Sequence, residues 1–143
     1  PIHSSAASDV YKRQKFVDDL PQIAENMIDV NHWYNPSSAS GQAMRARTEA
    51  DGNYFTFEVY CAYMSVMFLA DGFERAGTTD KDAVNAALAS STIDVDFMPY
   101  GKTEMVNGQN MGSRAVAIQA QKGDVQIIAP SEYASAKAVF PRT

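Results

Sequence analysis

A chain of 143 residues, 45% hydrophobic and 20% charged, is long enough for one domain with a core of its own. A net charge of −5 argues against a nucleic-acid binder, because there is no basic stripe to displace counterions from phosphates. Cys61 is the single cysteine, which excludes an internal disulfide and leaves the redox compartment unread.

Residues 1–14 open without Met, lack helical or strand periodicity and end in Tyr11-Lys12-Arg13-Gln14. They read as linker-derived sequence and are set apart from the fold, His3 with them. The missing signal peptide therefore says nothing about export. Phe16 to Leu20 reads as a helix fragment interrupted by Pro21. Met27 to Asn31 follows as a short strand leading into His32-Trp33-Tyr34-Asn35-Pro36. The polar, Ala-rich stretch after Ser37 predicts one loose helix around Gln42 to Glu49, stopped by Asp51-Gly52-Asn53.

Tyr54 to Ala76 predicts the main helix. It is too apolar for a surface helix, and Glu58 and Asp71 close its apolar run before the about 20 residues that a bilayer requires. A helix apolar nearly all round is expected to be buried between layers. Gly77 ends it as a C′ glycine, and Arg75 suits the negative end of the helix dipole. Thr79 or Asp80 caps a second helix with Ala83, Val84, Ala87 and Leu88 at helical spacing, ending at Ser90-Ser91-Thr92. Ile93 to Tyr100 reads as irregular, Lys102 to Val106 as a short strand, and Asn107-Gly108 as a turn. Val116, Ile118 and Ala120 alternate as in a half-buried strand, Lys122-Gly123 turns the chain, and Val125 to Ala129 is the partner strand. Interspersed helices and strands favour an α/β layered architecture. So few short strands around one apolar helix imply that covering layers lie elsewhere, as in a fragment of a larger fold.

Enzyme signatures are absent: no G-x-S-x-G elbow, no phosphate loop, no G-x-G-x-x-G and no H-E-x-x-H. His32 would have to carry any triad or zinc site alone, and it reads as a loop histidine at a strand end. Cys61, within the apolar helix, reads as a buried inert thiol. Asp94 and Asp96 look like half a calcium loop, but Phe97-Met98-Pro99 supply no further oxygen ligands, so a solvated loop is expected. Asn107 to Gly112 lacks the lysine of a phosphate cradle and reads as a hairpin-type turn. Met64, Met67 and Met98 read as core fillers. No catalytic residue, metal site or cofactor is expected.

The aromatic group Trp33, Tyr34, Tyr54, Phe55, Phe57 and Tyr60 lies at a strand exit and at the first turns of the main helix. Ligands of α/β sheets bind in such places. Glu58, in the second turn of that helix, is placed to align with its dipole. The same residues also read as core aromatics beside a dipole-favoured surface carboxylate, and both readings stand at this point.

Tyr63 through Gly77, then Thr78-Thr79-Asp80, a short helix, Met98-Pro99-Tyr100-Gly101, the Asn107-Gly108-Gln109-Asn110 turn, the hairpin from Ala115 to Pro130, and Glu132-Tyr133-Ala134 with Val139-Phe140-Pro141 come in a specific order. That order resembles the C-terminal part of the Leu/Ile/Val-binding proteins, the type I periplasmic solute receptors of branched-chain amino-acid ABC importers. The resemblance covers roughly residues 16–141. It implies the C-terminal part of a two-lobed, Rossmann-like α/β clamshell. Residues of about 32–113 would belong to the first lobe, and about 15–31 with 115–143 to the second. It implies a periplasmic or extracytoplasmic receptor without catalysis. Such a receptor would hold an amino acid or related amide between its lobes and present it to an ABC permease. The main ligand contacts would lie upstream of this chain. The position that touches ligand in leucine-binding members is matched by Glu58, with Phe57 and Tyr60 alongside; Trp33 completes the expected set. An acidic residue there implies a more polar solute. A ligand-sensing regulator or receptor ectodomain on the same fold is the alternative, and a small enzyme using His32 and Glu58 the next.

Overall fold

The computed structural model describes residues 13–140. Residues 1–12, most of the segment set apart above, lie outside them, as do 141–143. The described residues begin with two short helices, α1 (Arg13–Asp19) and α2 (Pro21–Ala24), with Pro21 in the first turn of α2, where its missing N–H loses nothing. Strand β1 (Ile28–Asn31) follows. Helix α3 (Ala39–Ala50) starts earlier than composition suggests, because the Ser38 hydroxyl accepts from the Gly41 N–H and caps it.

The main helix, α4, runs from Phe57 to Ala76. Its start is later than expected: Thr56 is extended and serves as the N-cap residue, which puts Glu58 in the first turn rather than the second. Gly77 ends it at φ 63°, the left-handed conformation that a residue without Cβ adopts freely. Helix α5 (Lys81–Ala89) is capped by Asp80, whose carboxylate accepts from the Asp82 and Ala83 N–H groups. It packs on α4.

Strands β2 (Met105–Val106) and β3 (Gln109–Asn110) flank a turn in which Asn107 and Gly108 both have positive φ. The strand expected from Lys102 is shorter at its start, since Thr103 donates its N–H to the Ile93 carbonyl instead of a ladder. Strands β4 (Val116–Gln121) and β5 (Asp124–Ala129) form the last hairpin around Lys122-Gly123. The resulting sheet is antiparallel in the order β1-β4-β5. Helices and sheet thus form a mixed α/β fold, as the sequence leads one to expect.

Two layers meet at one core. Val116, Ile118, Ala120, Val125 and Ile127 of the hairpin bury against Val17, Ala24, Trp33, Tyr34, Phe55, Tyr60, Phe97 and Met98. Gly41 is part of the closure. A Cβ there would stand 2.8 Å from Tyr34 Cδ2, 3.2 Å from the Asn35 carbonyl oxygen and 3.3 Å from Phe97 Cβ.

The main helix is covered on one side only, as expected where some covering layers lie elsewhere. Only Tyr60 and Gly72 of α4 are buried, while Tyr63, Val66, Leu69 and Phe73 are exposed, Val66 at 65%. The helix is apolar on two sides, and the described residues supply a layer for one. Cys61 is accordingly half-buried rather than enclosed; burial, then the Glu58 charge, raises its pKa. Among the described residues no helix is long and apolar enough to cross a membrane.

Candidate functional site

The exit of β1 and the start of α4 meet through aromatic rings. Trp33, 3% exposed, lies edge-on to Phe55 with ring centroids 6.0 Å apart and is tilted against Tyr34 at 5.6 Å. Tyr34 and Phe55 close the group at 4.9 Å. Phe57 is half-buried and packs against the same core. The structure therefore gathers Trp33, Phe55, Phe57 and Tyr60 into one cluster.

Their polar atoms divide. The Tyr60 hydroxyl bonds to that of Tyr100 at 2.6 Å, and its ring lies edge-on to Phe97. Burial, then the neighbouring Tyr100, pushes the Tyr60 pKa far up, so Tyr60 stays neutral and faces the core. Trp33 Nε1 and Glu58 Oε2 are different: both are buried with no hydrogen-bond partner among the described residues. Thr56 makes no side-chain cap to α4, so the first-turn N–H groups beside Glu58 also lack a side-chain acceptor.

The sequence does not single out Asn31. Its Oδ1 accepts from the His32 N–H at 2.7 Å, whereas its Nδ2 is buried without a partner among the described residues. Periodicity pointed only to a strand end. Asp96 also does more than occupy a solvated loop. Although exposed, its carboxylate accepts from the Ser38 hydroxyl at 2.7 Å and from that of Ser40. Those bonds, Ser40 first and then Ser38, lower its pKa below the ordinary 3.8. It therefore latches the 94–98 loop to the first turn of α3. Among the described residues no group of three His, Cys, Asp or Glu could hold a metal ion.

A groove of about 450 Å³ lies elsewhere, lined by Asp18, Arg45, Glu49, Tyr54, Phe55 and Gly123 among others. It contains none of Trp33, Phe57, Glu58 or Tyr60. Arg45 crosses it, bonding Glu49 at 2.8 Å and Asp124 at 2.9 Å. Burial opposes the Arg45 charge, but its bonds to Tyr34 and Glu49 and the Asp124 carboxylate outweigh that and raise its pKa. With its charge matched, the groove reads as a structural seam between α3 and the β4–β5 turn.

Comparison with known proteins follows from this architecture. The chain superposes on the leucine-binding protein LivK of Thermotoga maritima with a TM-score of 0.62 at 17% sequence identity, over 81% of its own length. The chain shares its fold with one portion of that protein. The chain spans 33% of the length of that LivK, so the match concerns one portion of a larger fold. No family model matches the chain, and no curated protein does either.

Proposed function

We propose that this chain is the C-terminal portion of an extracytoplasmic solute receptor of an ABC importer, binding an amino acid or related amide without catalysis. The observation that carries the reading is the shared fold with LivK, a leucine-binding protein, over four-fifths of the chain. Fold alone does not fix function. The site adds support: aromatic walls beside buried polar atoms without protein partners are what a cleft with a few placed polar groups presents. In this reading residues of about 32–113 belong to one lobe and about 15–31 with 115–143 to the other. Solute closes the lobes by hinge motion, and the closed form is what a membrane permease recognises. Glu58, Phe57 and Trp33 contact the solute, and Tyr60 backs them from the core.

The test is to isolate the full reading frame that contains the Phe16 codon and screen its product against amino acids and their amides by thermal shift. A solute present at 100 times its Kd stabilises a receptor by about 2.7 kcal/mol, which a melting curve resolves. A frame that continues through the rest of a two-lobed receptor, with a product stabilised by one of these solutes, is the expected result. A start codon close upstream of Phe16, or a complete product that none of the solutes stabilises, overturns the reading.

A further inference from the structure

Strand β1 is patterned inside out. Directly opposed residues of an antiparallel pair share a face, and Asp29 opposes Ile118 while Asn31 opposes Val116. Asp29 and Asn31 therefore lie on the face of the sheet that carries the core, with Val116, Ile118, Ala120, Val125 and Ile127. Ile28 and Val30 lie on the other face and are exposed, Val30 at 67%. Shifting the strand by one residue would bury its apolar pair instead.

The contrast with Gln119 sharpens the point. That amide, completely buried on the opposite face, donates to the carbonyls of Asn26 and Val139 and accepts from the Val139 N–H and from Gln121. The fold is thus able to satisfy a buried amide fully. At Asn31 it does not. The His32 N–H fixes which end of the amide is the oxygen, and this turns the NH₂ group toward a position with no acceptor. Two residues on, Trp33 repeats the pattern with an N–H that has no acceptor in a side chain 3% exposed. Buried polar atoms without partners are rare in folded proteins, and each one requires a reason.

We infer that Asn31 is a ligand-contact residue of the proposed site: Asn31 Nδ2 and Trp33 Nε1 donate to a carbonyl or carboxylate oxygen of the solute, while Glu58 Oε2 accepts from its amine or amide N–H. This assignment rests on the receptor reading and adds to it the residue and the division of roles. The two donors lie at the β1 exit and the acceptor at the α4 start, segments that meet through the Trp33–Phe55 contact, so a solute engaging all three would carry both kinds of group. A purely aliphatic acid or amine engages only half of this set.

The experiment uses the full reading-frame product with leucine, leucinamide, isovalerate and isopentylamine as probes. Binding is measured by calorimetry, and the Trp33 indole N–H cross-peak, assigned by its loss in Trp33→Phe, is followed by NMR. Leucine or leucinamide is expected to bind and to move the indole peak, with affinity reduced at least about tenfold in Asn31→Ala and in Glu58→Gln. Isovalerate binding is expected to depend on Asn31 but not on Glu58. If a probe binds while the indole peak stays in place and Asn31→Ala changes affinity less than twofold, the inference falls and the receptor reading stands. If no probe binds, the inference falls, and the separate thermal-shift screen against amino acids and their amides decides the receptor reading.

Discussion

Gly41 is the residue on which the junction of α3, Tyr34 and Phe97 depends most directly. Any Cβ there meets a ring carbon, a backbone carbonyl and a Cβ, all closer than ordinary contact, and the carbonyl cannot swing aside. Gly41→Ala is expected to destabilise the chain by about 1–3 kcal/mol despite the better helix propensity of alanine, because overpacking outweighs the propensity gain. Urea unfolding followed by circular dichroism measures it; a neutral or stabilising result would mean that α3 shifts freely away from Tyr34. The hydroxyl pair of Tyr60 and Tyr100 makes a milder case. Tyr60→Phe leaves the Tyr100 hydroxyl without its partner and is expected to cost about 1 kcal/mol in the same assay.

Helix α4 shows what periodicity conveys and what it does not. Its existence, its end at Gly77 and the Asp80 cap of α5 were legible, because each follows from local rules of composition and dihedral angle. So were the turns at Asn107-Gly108 and Lys122-Gly123. Which side of α4 is covered was not legible, since a helix apolar all round does not say which layers accompany it. Tyr63, Val66, Leu69 and Phe73 form a stripe at helical spacing that no described element covers. An exposed stripe of this kind drives association. The 143-residue chain is expected to associate as its concentration rises, and the pair Val66→Lys with Leu69→Lys to suppress this without lowering Tm. Sedimentation velocity on both chains decides it: a wild-type chain monomeric at every concentration would show the stripe to be harmless in water. The candidate site was half legible for a similar reason. Trp33 and Glu58 stood out by type and place, whereas Asn31 became visible only once strand register showed that it faces inward.

At the scale of the whole molecule, carboxylates tie together segments far apart in sequence. Asp96 holds Ser38 and Ser40, and Asp71 accepts from Ser91 as well as from Arg75. Both have pKa values lowered below 3.8, Asp96 chiefly by the Ser40 and Ser38 hydroxyls and Asp71 chiefly by the Arg75 hydrogen bond. A carboxylate with a lowered folded-state pKa stabilises the fold fully above its unfolded value. That contribution is lost as pH falls through the folded value. Stability is therefore expected to hold flat with respect to these two groups from neutral pH down to about 5, and to decline below about 4 as they take up protons. Both sit near solvent, so the decline should be shallow and reduced by salt. Ser38 and Ser40 donate to different oxygens of Asp96, so in Asp96→Asn one of the two acceptor positions becomes an NH₂ donor, and the side chain no longer titrates. Its chemical-denaturation midpoint is expected to lie below wild type at pH 7 and to approach it as pH falls through the folded-state pKa of Asp96. Measuring both midpoints across that range tests the latch: parallel curves would show that Asp96 contributes nothing through its charge, and that α3 is held by Gly41 and the Ser38 cap alone.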